Sequence, residues 1–149
     1  MLELLRYEET KIKSITLKEL QVLLANQVNK CRGDKRIAID DGCGHWYWLQ
    51  TNFKCQEDVI IMDISSYVDD DEYTSEYIDK QPDLKSILQS VNDFITEENK
   101  DLELFAEWVG EYDKAMGIPK NVWNFTFDRD KKGADVILKF DETTLVLYN

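Results

Sequence analysis

Two groups of short apolar–polar alternations, set around longer stretches with helical spacing, predict an α+β chain. The expected architecture is a mostly antiparallel sheet with three helices, in the order β-α-β-β-β-α-α-β-β-β. Three observations lead there. Thr16-Leu-Lys-Glu19 reads as a capping box ahead of apolar residues at helical spacing. The links between strand-like runs are short, which favours antiparallel pairing. The 149 residues fit one domain, read here as 1–149 without a linker or repeat.

Residues 2–7 are compatible with a first strand. The spacing of Leu17, Leu20, Leu24, Val28 and Cys31 then predicts a helix over about 17–31, stopped at Gly33. Ile15 and Leu20 stand where a hydrophobic staple packs. Ile37 and Ile39 alternate with polar or small neighbours. Asp40-Asp-Gly-Cys-Gly44 is a turn by composition, and His45–Gln50 and Val59–Met62 read as strands. Asp69-Asp-Asp-Glu72 should be a solvated loop. After Pro82, Leu84, Ile87, Leu88, Val91, Phe94 and Ile95 share one helical face, broken by Glu97-Glu-Asn-Lys-Asp101. A third helix is expected to turn Leu102, Phe105, Trp108, Val109, Tyr112 and Met116 inward, ending at Gly117 and Pro119. A three-stranded meander closes the chain: Trp123–Phe127, then Val136–Phe140 after the turn Arg129–Gly133, then Thr144–Tyr148.

The totals bound function. Apolar residues make up 43% of the chain, enough for a core without metal or disulfides. Three cysteines with no CxxC fit reduced thiols. The N-terminus carries acids where a signal peptide needs a basic flank, and no apolar run reaches the ~18 residues of a membrane span. A cytoplasmic protein is expected. Net charge is −12, and it is unevenly placed. Residues 1–56 hold 7 acids and 9 bases, residues 57–113 hold 18 acids and 3 bases, and residues 114–149 hold 5 acids and 6 bases.

The acidic middle supplies the candidate site. On the expected third helix, Glu103, Glu107 and Glu111 fall at i, i+4 and i+8, one row of like charges that weakens the helix carrying it. Asp93 and Glu97 continue the row on the second helix, and Asp69, Asp70, Asp71 and Glu72 extend it into the loop. A row step of ~6 Å on a helix is close to two phosphate steps on DNA, ~6.8 Å. The carboxylates would then stand in for phosphates and cover a basic groove, with fast, salt-sensitive association. The plainer reading is a solvated face that keeps the chain soluble; segregation of the charge favours binding.

Other chemistry finds less support. Asp69–Glu72 lacks the alternating ligands, central glycine and closing glutamate of a calcium loop. Cys31, Cys43, His45 and Cys55 are zinc ligand types, but 11, 1 and 9 intervening residues match no zinc motif. Cys43 beside His45 raises thiol catalysis without an oxyanion element. Trp46 and Trp48 share a strand face and read as core, or as a binding hot spot if that face is open. No phosphate loop, dinucleotide fingerprint, zinc-protease or nucleophile-elbow motif occurs. The basic clusters Lys30/Arg32/Lys35/Arg36 and Arg129/Lys131/Lys132 are small for direct nucleic-acid binding. No cofactor, no metal and no catalytic residue is expected.

Thr16-x-x-Glu19-Leu20, Gly33-Asp34 and Ile37-x-Ile39-Asp40 together resemble the opening of many small proteins of phages and mobile elements. The acidic middle is similar in kind to phage inhibitors of host defence, the anti-CRISPR and anti-restriction proteins that imitate DNA. That resemblance implies a non-catalytic inhibitor whose partner is a basic, nucleic-acid-binding effector. An immunity protein that neutralises a toxin and a small thiol- or carboxylate-dependent enzyme are the alternatives.

Overall fold

The computed structural model describes residues 3–7, 14–40, 46–64, 80–108, 114–118, 136–139 and 147–148. The strands are β1 (Glu3–Tyr7), β2 (Ile37–Asp40), β3 (Trp46–Gln56), β4 (Val59–Ile64), β5 (Glu103–Trp108), β6 (Lys114–Gly117), β7 (Val136–Lys139) and β8 (Leu147–Tyr148). The two α-helices among the described residues are α1 (Leu17–Gln27) and α2 (Leu84–Phe94). The strands lie in the order β7-β2-β3-β4-β5-β6-β1-β8.

The expected capping box starts α1. Thr16 Oγ1 accepts from the Glu19 amide at 3.2 Å, and the Thr16 amide donates to Glu19 Oε1 at 3.3 Å. Leu17, Leu20 and Leu24 are buried as the spacing requires. The helix ends earlier than its apolar pattern does. A single π-helical turn, Val28–Arg32, follows, and the chain leaves helical geometry at Lys30 and Cys31. Cys31 has φ of 63°, left-handed backbone, and its side chain is exposed rather than completing the core stripe. In α2, Asp83 caps the N-terminus by accepting from the Ser86 amide at 2.8 Å. Asp83-Leu-Lys-Ser86 carried that signal in the sequence.

The largest correction concerns residues 102–117. The expected third helix is two strands, β5 and β6. Leu104, Phe105 and Ala106 are consecutive and all at 0% exposure. A helix on a sheet buries only one stripe, whereas a central strand covered on both faces buries every residue. Leu102, Phe105 and Trp108 stand at helical spacing by chance, and a strand covered on both faces shows no period of its own to oppose that reading.

Pairing also differs from the expected mostly antiparallel sheet. The sheet is mixed. β4 runs parallel to β5, β1 to β6 and β2 to β7; β2–β3, β3–β4, β5–β6 and β1–β8 are antiparallel. The cause for β4–β5 is the intervening α2: a helical crossover returns the chain in the same direction. The closing meander is overturned too, because β7 and β8 lie at opposite edges of the sheet. The expected strand Trp123–Phe127, the turns at Arg129–Gly133 and Asp40–Gly44, and the loop Asp69–Glu72 fall wholly or mostly outside the described residues.

Both helices cover one sheet face. Leu17, Leu20, Leu24, Leu84, Ile87 and Val91 meet Leu49, Ile60, Met62, Ile64, Leu104 and Ala106 in one core. Full burial of each large aliphatic side chain there contributes ~1.5–3 kcal/mol. Val59, Ile61, Phe105 and Ala115 form a second cluster on the opposite face, with Leu4 packed against it. Trp48 is 1% exposed while its neighbours Tyr47 and Leu49 are also buried, so both faces of β3 are covered and Trp48 belongs to the interior.

Candidate functional site

The helices are antiparallel to one another, and hydrogen bonds define where each begins. The α1 N-terminus rests against the lead into β5: Leu17 N donates to Leu102 O at 3.2 Å and Lys18 N to Lys100 O at 2.9 Å. The α2 N-terminus rests against the segment after the π turn: Leu84 N donates to Lys35 O at 2.7 Å and Lys85 N to Gly33 O at 2.9 Å. With Glu19 N and Ser86 N capped by side chains, the first amides of both helices are satisfied within the chain.

This arrangement sorts charge between two ends. At one end lie the start of α1, the close of α2, the β3–β4 turn and the lead into β5. Register locks them together, since Val59 pairs with Glu103 and Thr16 bridges to Glu103. Glu57, Asp58, Asp93, Glu97, Glu98 and Asp101 are all exposed there. Two bases lie among them, the exposed Lys18, whose Nζ donates to Gln21 Oε1 at 2.9 Å, and Lys100. Lys100 pairs with Glu97 at 3.2 Å, and the Glu97 hydrogen bond and charge, with Asp101, raise its pKa above the ordinary lysine value. Glu57 sits at φ 53° in a two-residue hairpin turn, a backbone position that favours glycine.

At the other end lie the π turn and the start of α2. Lys30, Arg32, Lys35, Arg36, Lys80 and Lys85 gather there, with Asp34 and Asp83. Burial pushes the Asp83 carboxyl up, but hydrogen bonds from Ser86 and the charges of Lys85 and Arg36 outweigh it and hold the pKa below its ordinary value. A carboxylate with a depressed pKa stabilises the fold above its unfolded pKa, and that contribution is lost as pH falls through the folded value. Asp83→Ala is therefore expected to cost about 1 kcal/mol at neutral pH. The difference from the parent should shrink below about pH 4. Urea denaturation at both pH values checks this; an equal loss at both would remove the charged cap from the account.

The expected acidic row is redistributed. Asp93 and Glu97 do face solvent at the acidic end. Glu103 and Glu107 are half-buried on β5, not on a helix, and a four-residue step along a strand is ~13 Å. The match to phosphate spacing, which needed a helix, is withdrawn. Glu107 is also engaged, its Oε2 lying 3.2 Å from Lys54 Nζ. Asp69, Asp70, Asp71, Glu72 and Glu111 lie outside the described residues. Glu57, Asp58, Glu98 and Asp101, which stand outside the row expected from the sequence, are exposed at the same end; only the two-residue gap between β3 and β4 points to the first two in the sequence.

The two described thiols, Cys31 and Cys55, lie at different ends. Cys31 is exposed at the basic end and Cys55 is exposed beside the β3–β4 turn at the acidic end. Cys43 and His45 lie outside the described residues. Among the described residues, no group of three or more His, Cys, Asp or Glu is placed to hold a metal, and no helix is long and apolar enough to cross a membrane. Against known proteins, the chain matches no family model, no curated protein and no solved structure.

Proposed function

We propose that this protein acts in the cytoplasm by binding rather than catalysis, and that its acidic end covers a basic, nucleic-acid-binding surface of a partner protein. The observation that carries the reading is the gathering of Glu57, Asp58, Asp93, Glu97, Glu98 and Asp101, from three separate segments, at one end of the sheet. Like charges gathered at one end repel one another, and only Glu97 among them has a lysine partner in the described residues. Opposite a lysine- and arginine-rich groove the same repulsion becomes complementarity, favouring rapid and salt-sensitive encounter. An acid at Glu57, where glycine would relieve the backbone, supports this reading. Exposed thiols at Cys31 and Cys55 suit a reducing compartment. A phage-type inhibitor of a nuclease or of a CRISPR or restriction effector fits this chemistry.

The test is capture of partners from a host lysate at low and high salt, followed by challenge with duplex DNA. A nuclease or DNA-binding protein held at low salt, released by salt and displaced by DNA is the expected result. Reversing Glu57, Glu97, Glu98 and Asp101 to lysine should abolish that capture with the fold retained. Glu57→Gly alone should weaken capture while leaving stability unchanged or raised, because it removes an acid and relieves the turn. Capture indifferent to the reversal would sink the proposal, and a toxin held in a DNA-insensitive way would favour the immunity reading.

A further inference from the structure

The basic end has no part in the function proposed above. Its geometry is nonetheless well defined. The π turn and the α2 N-terminus are joined by backbone hydrogen bonds from Leu84 to Lys35 and from Lys85 to Gly33, and by an isolated antiparallel backbone β-bridge between Arg36 and Asp83. The Gly33 backbone runs close beside Lys85: a Cβ built at Gly33 would stand 3.5 Å from Lys85 Cβ. Lys30, Lys80 and Lys85 are exposed around that junction. The α2 amides are already occupied, so the site is a cationic surface rather than a helix-end anion pocket. In a chain of net charge −12, such a surface is an exception in sign, and it lies at the opposite end of the helical layer from the exposed acids.

We propose that the basic end docks the acidic end of a second copy of this chain, giving reversible head-to-tail association. Lys30 and Lys85 of one copy would face Glu97 and Glu98 of the next. Two molecules of like net charge repel at a distance. Within the ~8 Å Debye length of physiological salt, contacting pairs outweigh charges elsewhere on the surface. A contact between two different surfaces is heterologous, so it continues into open chains rather than closing as a two-fold dimer. Exposed ion pairs are individually weak, so association is concentration-dependent and salt-sensitive. It also competes with partner binding, because both use the acidic end.

Sedimentation equilibrium of the full chain tests this. At ~0.15 M salt the weight-average mass should climb continuously with concentration, reaching twofold or more, and return to the monomer value at ~1 M, where the Debye length is about 3 Å. Lys30→Glu with Lys85→Glu, and separately Glu97→Lys with Glu98→Lys, should each stay monomeric at ~0.15 M salt. Mixing the two variants should restore association, since each then supplies the end that the other needs. A monomer at every concentration, a mass that stops at a dimer, or variants that do not recover on mixing would each overturn the proposal. Circular dichroism confirms that each variant folds. The proposal shares the acidic end with the function above, but Lys30→Glu with Lys85→Glu should leave partner capture intact, so the two can fail separately.

Discussion

Phe105→Ala is expected to cost about 3–5 kcal/mol of folding stability, the range for removing a buried aromatic ring. Phe105 has 0% exposure and lies on β5 between Ile61 of β4 and Gly117 of β6. It is the largest side chain of the cluster on the sheet face opposite the helices. Its neighbours along the strand, Leu104 and Ala106, pack in the other core, so backbone rotation to close the cavity would expose them. Urea denaturation measures the loss. Glu107→Gln is the control, because a partly exposed ion pair to Lys54 contributes well under the cavity, typically ~0.2–1 kcal/mol. A loss at Phe105 no larger than at Glu107 would mean that 103–108 is not a doubly covered strand.

Gly117→Ala should be the next most damaging, at about 1–3 kcal/mol for overpacking. A Cβ at Gly117 would run directly into Ser14 Oγ and stand 3.5 and 3.6 Å from the Phe105 ring. Ser14 is itself buried and leads into the segment whose Ile15 amide bonds Ile118 O at 2.6 Å. The Phe105 ring is held by Val59, Ile61 and Ala115, and the Ser14 hydroxyl can turn aside only by changing rotamer inside a buried site. Relief is available from one side only. Ser14→Ala removes the clashing oxygen, so the double variant should recover part of the loss, giving a favourable coupling of about 0.5–1 kcal/mol in a double-mutant cycle. Strict additivity would place the strain elsewhere.

Local signals were legible where one short-range interaction decides the outcome. Thr16 and Glu19 announced the start of α1 because a capping box needs only four adjacent residues. The apolar stripe of Leu84, Ile87 and Val91 announced α2, since one covered face leaves a helical period. Cys31 misled: its spacing fitted the α1 stripe, but the π turn carries it into left-handed backbone and out to solvent. Residues 102–117 misled more seriously. A strand buried on both faces has no amphipathic period of its own, so chance helical spacing filled the gap.

The sequence by itself determined how much negative charge there is and that its excess over the bases is confined to the middle of the chain. Only the tertiary structure decided which of those acids meet. Glu103, Glu107 and Glu111 looked like neighbours because a helix would have aligned them. The sheet instead spreads Glu103 and Glu107 along a strand and pairs Glu107 with Lys54. Glu57 and Asp58, some forty residues away in sequence, come to the same end as Glu97, Glu98 and Asp101 because β4 pairs parallel with β5 from Val59–Glu103 onward. The opposed basic end arises in the same way, from α2 beginning against the segment that follows α1. Spacing along a chain reports on neighbours within one element, whereas the encounter of separate elements depends on strand register, which long-range burial sets.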